Sequence, residues 1–193
     1  MIDWQALFGN DRPVEIEVGM GKGQFLLASA LAHPEVNYFG IEVVRKYQLY
    51  ATTRIAIRQL RNVRTVCGDA RWVLHYFVPA NSVQAVHVYF PDPWWKARHK
   101  KRRLFTAEFV QDVARVLQVG GRLLVKTDVE EYFQTMDTLI IQAHAFARLQ
   151  SGSDDTTPAE FQTNFEKKAR LRGAIIWRAA YAKTPEAAAR GSV

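Results

Sequence analysis

The sequence predicts an α/β protein: a mostly parallel sheet with helices on both faces and one late strand. Three observations predict it. Short β-rich runs alternate with helical stretches along most of the chain. An acidic residue stands at the end of each of five strand candidates. The chain has 193 residues, 48% hydrophobic and 23% charged, the size and composition of one ordinary domain. Without internal repeats or low-complexity tracts, residues 1–193 are expected to form a single domain.

The elements follow in order. Val14 to Val18 is a short apolar strand that runs into a glycine loop, and a helix follows through Phe25, Leu26 and Leu31. Tyr38 to Ile41 is the second strand. Behind it Val44, Tyr47, Ala51 and Ile55 recur at helical spacing and mark one apolar face. Arg54, Arg58 and Arg61 fall on another face of that helix, suited to solvent or to a polyanion. Val63 to Cys67 and Ala85 to Tyr89 are the next strands, with Cys67 expected as a small buried apolar residue. Thr106 is placed to N-cap a helix that buries Phe109, Val113 and Val116. Gly120-Gly121 turns into a strand from Arg122 to Lys126, and a helix runs from about Val129 to His144. Ser151 to Pro158 is a polar loop, and Ile175 to Tyr181 is the late strand.

Charge and cysteine usage narrow the class. The chain carries 26 Lys plus Arg against 19 Asp plus Glu, a formal +7, and six of those excess charges lie in Lys96, Arg98, Lys100, Lys101, Arg102 and Arg103. Such concentration predicts a local polyanion contact. The longest apolar run, Phe25 to Ala32, is too short to span a bilayer. Met1-Ile2-Asp3-Trp4 lacks the pattern of a secretory leader. With one cysteine, no internal disulfide can form, and a reducing cytoplasm fits best. The five histidines show no metal-ligand spacing, so no metal is expected.

In open α/β sheets ligands bind outside the carboxyl ends of the strands. Glu17, Glu42, Asp69, Asp92 and Asp128 stand there, five acids in a chain with more bases than acids. The first loop, Gly19-Met20-Gly21-Lys22-Gly23, lets backbone approach a ligand, but its glycine spacing differs from the dinucleotide fingerprint. Glu17 beside it would repel a pyrophosphate. A cationic nucleoside without phosphates suits the site, and S-adenosylmethionine is one. Glu42 would accept from its ribose hydroxyls and Asp69 from its adenine amine.

The most distinctive segment is Tyr89-Phe90-Pro91-Asp92-Pro93-Trp94-Trp95-Lys96, followed by the basic run. Two prolines fix where the Asp92 carboxylate points. Rings beside bases suit nucleic acid, with phosphates held by charge and an unstacked base by a ring face. Trp94 and Trp95 would serve equally as core residues.

This segment resembles the signature of the tRNA (guanine-N7)-methyltransferase family, F-P-D-P-W followed by a Lys and a basic run. Further blocks appear in the family's order: Ile16-Glu17-Val18-Gly19, Gly40-Ile41-Glu42, Asn62-Val63 leading to Gly68-Asp69-Ala70, Thr127-Asp128, and Thr163-Asn164-Phe165-Glu166. Together they span nearly the whole chain. The resemblance implies a class I, Rossmann-like fold whose late strand runs antiparallel, and methyl transfer from S-adenosylmethionine to N7 of a guanosine in tRNA, typically in the variable loop. It places cofactor contacts on Glu17, Glu42, Asp69 and Asp92, with the loop glycines Gly19, Gly21 and Gly23. RNA contacts fall on Lys96, Asp128 and Thr163 to Glu166, and Asp92 is the catalytic position. Two departures bear on RNA binding. Asn164 stands where a Lys is common, and the N-terminal extension of many members is lacking. The assembly stays open between monomer and homodimer.

Guanine N7 carries its own lone pair, so the transfer needs no general base. Positive charge moves onto the base during transfer, so a carboxylate helps when it faces the guanine rather than the sulfonium. Asp92, Asp128 or Glu166 is therefore expected to accept from the N1–H and N2 amino edge and to aim N7 at the methyl group. Three competing readings are a methyltransferase acting on a small molecule or a protein, an RNA-binding module without catalysis, and a dehydrogenase. The last is disfavoured by the glycine spacing.

Overall fold

The computed structural model describes residues 1–94, 103–149, 161 and 163–185. Among these residues seven strands form one sheet in the order β3-β2-β1-β4-β5-β7-β6. Strands β1 (Val14–Val18), β2 (Asn37–Glu42), β3 (Val63–Cys67), β4 (Val83–Tyr89) and β5 (Leu117–Thr127) run parallel, and β7 (Trp177–Lys183) is antiparallel to β5. The seventh strand, β6 (Phe146–Arg148), pairs antiparallel with β7. Among the described residues the helices are α1 (Trp4–Phe8), α2 (Gln24–Ala32), α3 (Arg45–Ile57), α4 (Ala70–Phe77), α5 (Ala107–Val116), α6 (Glu130–Gln142) and α7 (Asn164–Leu171).

The two faces of the sheet differ because side chains alternate along each strand. Ile16, Val18, Val86, Val88, Leu123 and Val125 point to one face, where Leu74, Phe109, Val113, Tyr132 and Met136 from α4, α5 and α6 close the main core. A smaller core on the other face packs Leu26, Leu27 and Ala30 of α2 and Ala51 and Ile55 of α3 against Tyr38 and Val63. Glu15, Glu17, His87, Tyr89 and Lys126 also share that second face, so its centre is polar and buried.

The parallel sheet, both helical layers, the antiparallel late strand and the Thr106 cap match expectation; Thr106 Oγ1 accepts from Phe109 N at 3.2 Å. Four expectations need correction. Val44 and Tyr47 are exposed, and of the expected α3 face only Ala51 and Ile55 are buried. The helix lies over the edge strand β3, with Gln48 Nε2 donating to Thr65 Oγ1 at 2.9 Å, and so has little sheet to cover. It also ends at Ile57, leaving Arg58 as its C-cap and Arg61 beyond it. Gly120-Gly121 does not precede β5 but forms a bulge within it, because the register shifts from Val83↔Leu117 to Ala85↔Arg122. A Cβ on Gly121 would sit 2.8 Å from Gln118 O, so only glycine fits that bulge. Finally, Cys67 is exposed, with Sγ 3.7 Å from Val43 O, because β3 is the sheet edge. The expected loop 151–158 lies outside the described residues.

Candidate cofactor and substrate site

Strand order places β1 and β4 side by side while their crossovers lead to opposite sides, the switch point where α/β sheets open a ligand crevice. Glu17, Glu42, Asp69, Asp92 and Asp128 all lie at this carboxyl edge. Each meets a different environment.

Glu17 is buried at 3% exposure, and burial first, then the nearby Glu42 charge, pushes its carboxyl well above the ordinary range; the Leu26 backbone N–H opposes this. Its Oε2 has no hydrogen-bond partner among the described residues. A buried acceptor left unmatched is costly unless something donates to it. Glu42, also buried, braces the loop: Oε2 accepts from Gly21 N and Oε1 from Val44 N, both at 2.8 Å. Each oxygen keeps a further lone pair. Gly19, Gly21 and Gly23 have φ of 72°, 53° and 69°, a region that glycine enters freely. A Cβ would meet nothing within 4 Å at Gly19 and Gly21, whereas at Gly23 it would strike the Ala51 Cβ at 2.9 Å. The first two therefore leave open space at the mouth, and the third packs the loop onto α3.

Asp69 caps α4, its Oδ1 accepting from Arg71 N at 2.9 Å. The Arg71 guanidinium, 2.6 Å from Oδ2, holds the Asp69 carboxyl below its usual range against partial burial. Asp92 is exposed at the rim. The backbone around it is strained, with Phe90 at φ 53° and Trp94 at φ 43° flanking the two prolines. Non-glycine residues held there cost about 1–3 kcal/mol each and cluster at functional sites. Phe90 N donates to Lys126 O at 2.7 Å, and Arg103 Nε donates to Pro93 O at 2.8 Å. Arg103 also lies 5.1 Å over the Tyr132 ring. It thus ties Pro93 to the Tyr132 ring, a contact that basic patterning alone did not foretell. Lys96, Arg98, Lys100, Lys101 and Arg102, together with Trp95, lie outside the described residues.

Asp128 follows β5 and is 3.6 Å from the exposed Arg172. A depression of about 610 Å³ opens there, lined by Asp128, Val129, Glu130, Glu131 and Gln134. Thr163 caps α7, its Oγ1 accepting from Glu166 N at 3.0 Å, and Asn164 and Phe165 are exposed. Glu166, by contrast, is wholly buried: Oε2 meets Lys126 Nζ at 3.3 Å and Oε1 meets the Arg170 guanidinium at 3.0 Å. Its carboxylate points into the sheet rather than into the mouth.

Sequence reasoning missed Lys126. It is buried at 9% exposure and sits 5.0 Å over the Tyr89 ring. Desolvation lowers its pKa, although Glu166 acts to raise it. Tyr89 Oη in turn meets His87 Nδ1 at 2.8 Å, and His87 Nε2 meets Glu15 Oε2 at 2.8 Å. The available signal was charge at alternate positions in otherwise apolar strands, since such residues are buried only when paired.

The fold and the acid-lined crevice define a class I, Rossmann-like methyltransferase. Solved structures agree on the fold: 16S rRNA methyltransferase KamB superposes with TM-score 0.71, 14% identity, 94% of this chain and 93% of that one. An antibiotic-related methyltransferase gives 0.67 at 17% identity, covering 94% of each chain. Residues 11–179 match the family model described as "Putative methyltransferase". The chain is 40% identical over 190 residues to a tRNA (guanine-N(7)-)-methyltransferase of Rhodopirellula baltica, covering 94% of this chain and 70% of that protein. The same-named protein of Hydrogenovibrio crunogenus is 38% identical over 179 residues, covering 92% and 75%. This chain belongs to the tRNA (guanine-N7)-methyltransferase family. Among the described residues, no helix is long and apolar enough to cross a membrane, and no cluster of residues suited to a metal ion occurs.

Proposed function

We propose that this chain transfers a methyl group from S-adenosylmethionine to N7 of a guanosine in tRNA, in the variable loop, as one cytoplasmic methyltransferase domain over residues 1–193. The observation that carries this reading is the crevice, where a buried, unpartnered Glu17 oxygen and open glycines await a positively charged ligand without phosphates. The residues present fit S-adenosylmethionine. Glu17 would take its ammonium, the spare lone pairs of Glu42 its ribose hydroxyls, and Asp69 its adenine amine. Gly19 and Gly21 would leave room for its backbone-side approach. When bound, the cofactor supplies an electrophilic methyl group on a sulfonium.

The protein's own contribution is orientation and electrostatics. N7 attacks with its lone pair, so no side chain has to remove a proton. Charge develops on the guanine, and a carboxylate on the substrate side is worth more in the transition state than before it. Asp92 at the rim and Asp128 beside its depression face that side and are proposed to hold the N1–H and N2 amino edge. Glu166 supports α7 from within, leaving Thr163, Asn164 and Phe165 to meet RNA. Lys96, Arg98, Lys100, Lys101 and Arg102 are proposed to grip phosphates, and Arg103 to anchor the base of that arm.

The test is transfer of labelled methyl from S-adenosylmethionine to tRNA by the purified protein. Ribonuclease should abolish the signal, and nucleoside mass spectrometry should find 7-methylguanosine. Label in protein or in a small molecule would refute the reading.

A further inference from the structure

The basic arm is not the only acid-free stretch. Between Val43 and Gly68 the chain has six bases, Arg45, Lys46, Arg54, Arg58, Arg61 and Arg64, and no Asp or Glu. These residues build α3 and its flanks. Arg45, Lys46, Arg58 and Arg61 are exposed, and none of them forms an ion pair with a described residue. Two lie at the start of α3, against the helix dipole, and the first turn contains no acid. Exposed aromatics stand among them, with Tyr47 at 40% and Tyr50 at 51% exposure. Lys22 Nζ sits 5.5 Å from the Tyr50 ring centre and the Arg54 guanidinium 5.8 Å from it. Arg54 also donates to Lys22 O at 2.9 Å, which joins this surface to the glycine loop.

We infer that the exposed face of α3 and its C-terminal flank is a second docking surface for the phosphate backbone of the tRNA. The inference rests on the tRNA-modifying reading above. Unpaired bases with interleaved, exposed tyrosines match a single-stranded or splayed nucleic acid, with phosphates neutralised by charge and base or sugar faces laid on rings. Position supports it. α3 follows β2, on one side of the β1/β4 crevice, whereas Asp92 and Asp128 follow β4 and β5 on the other. An RNA much larger than its target nucleoside would reach both sides. A second copy of the chain fits less well, because two-fold pairing through this face would set like charges against each other.

The experiment uses the full chain carrying Lys46→Glu, Arg58→Glu and Arg61→Glu, with the corresponding triple Ala variant alongside. tRNA affinity is measured over a range of salt, donor affinity by calorimetry, and solution mass by light scattering. Three lost phosphate contacts should make the slope of log K against log salt shallower by roughly 2. tRNA binding at fixed salt should weaken by roughly tenfold or more, and S-adenosylmethionine affinity should be unchanged. If the glutamate variant loses donor binding, the Ala variant decides: a shallower slope with full donor affinity supports the inference, and anything else overturns it. An unchanged slope beside a wild type that binds tRNA overturns it while the proposed function stands. A change in mass in place of a change in slope makes the face an interface between copies and also overturns it. A wild type without tRNA affinity sinks the underlying reading.

Discussion

Replacing Lys126 by Met tests whether the buried ion pair secures the substrate side of the crevice. The Glu166 side chain is completely buried and that of Lys126 only 11% exposed, so neither charge has water to fall back on. Removing one partner of such a pair costs about 3–5 kcal/mol when the other is left uncompensated. Here Arg170 remains 3.0 Å from the second Glu166 oxygen, which brings the expectation down to about 2–3 kcal/mol. For a domain of this size that lowers Tm by roughly 4–12 °C. The assay is urea and thermal unfolding of Lys126→Met, Glu166→Gln and the double variant. The double should cost less than the sum of the singles, with a coupling of about 1 kcal/mol or more. Because α7 carries Thr163 to Phe165, KM for tRNA should rise more than donor affinity falls. A Lys126→Met protein within about 0.5 kcal/mol of wild type, or strictly additive singles, would refute the reasoning.

Other perturbations probe the cofactor side. A Cβ on Gly40 would come within 2.3 Å of Met20 Sδ and 2.9 Å of Leu26 Cδ2, so Gly40→Ala should cost about 1–3 kcal/mol and shift the glycine loop. Retained stability with full donor affinity would contradict it. Burial raises the Glu17 pKa, so from the unfolded value upward to the raised one the folded protein holds a proton that the unfolded chain has lost. Stability should therefore fall as pH rises through that window, and Glu17→Gln should flatten the slope while weakening donor binding. Calorimetry in buffers of different ionisation enthalpy should show a proton released as the donor binds, since a cation draws Glu17 toward its charged form. Absence of release would count against that contact. Asp92→Ala should lower turnover strongly while the melting curve stays within about 0.5 kcal/mol of wild type, because the side chain is exposed. A near wild-type rate would remove Asp92 from the mechanism.

How much of this was legible in the chain depends on what each element buries. β1, β2 and β4 stood out because β-branched and aromatic residues recur in short runs set between helical stretches and loops. Thr106 announced its helix through its capping side chain, with Phe109, Val113 and Val116 marking the face behind it. The periodicity of α3 misled because Val44 and Tyr47 keep helical spacing with nothing to cover, the sheet ending at β3. α1, with five residues, and β6, with three, are too short to show a period. The carboxyl-edge acids could be read from order along the chain. Their states could not: the orphaned Glu17 oxygen, Glu42 bracing Gly21 and Glu166 turned inward all depend on tertiary neighbours. The same holds for Arg103, whose charge fitted an RNA grip and whose guanidinium instead holds the Pro93 carbonyl. Counting net charge also obscured α3 and its flanks, since acids elsewhere cancel their six bases in the sum.

The central claim is that the attacking atom is N7 of guanine, delivered with no proton removed by the protein. Its most direct test is methyl transfer to a tRNA transcript in which guanosine is replaced by 7-deazaguanosine, so that a C–H stands where the lone pair was. This transcript is expected to bind as well as the natural one and to accept no methyl group. Methylation at an undiminished rate would place the chemistry on another atom and contradict it.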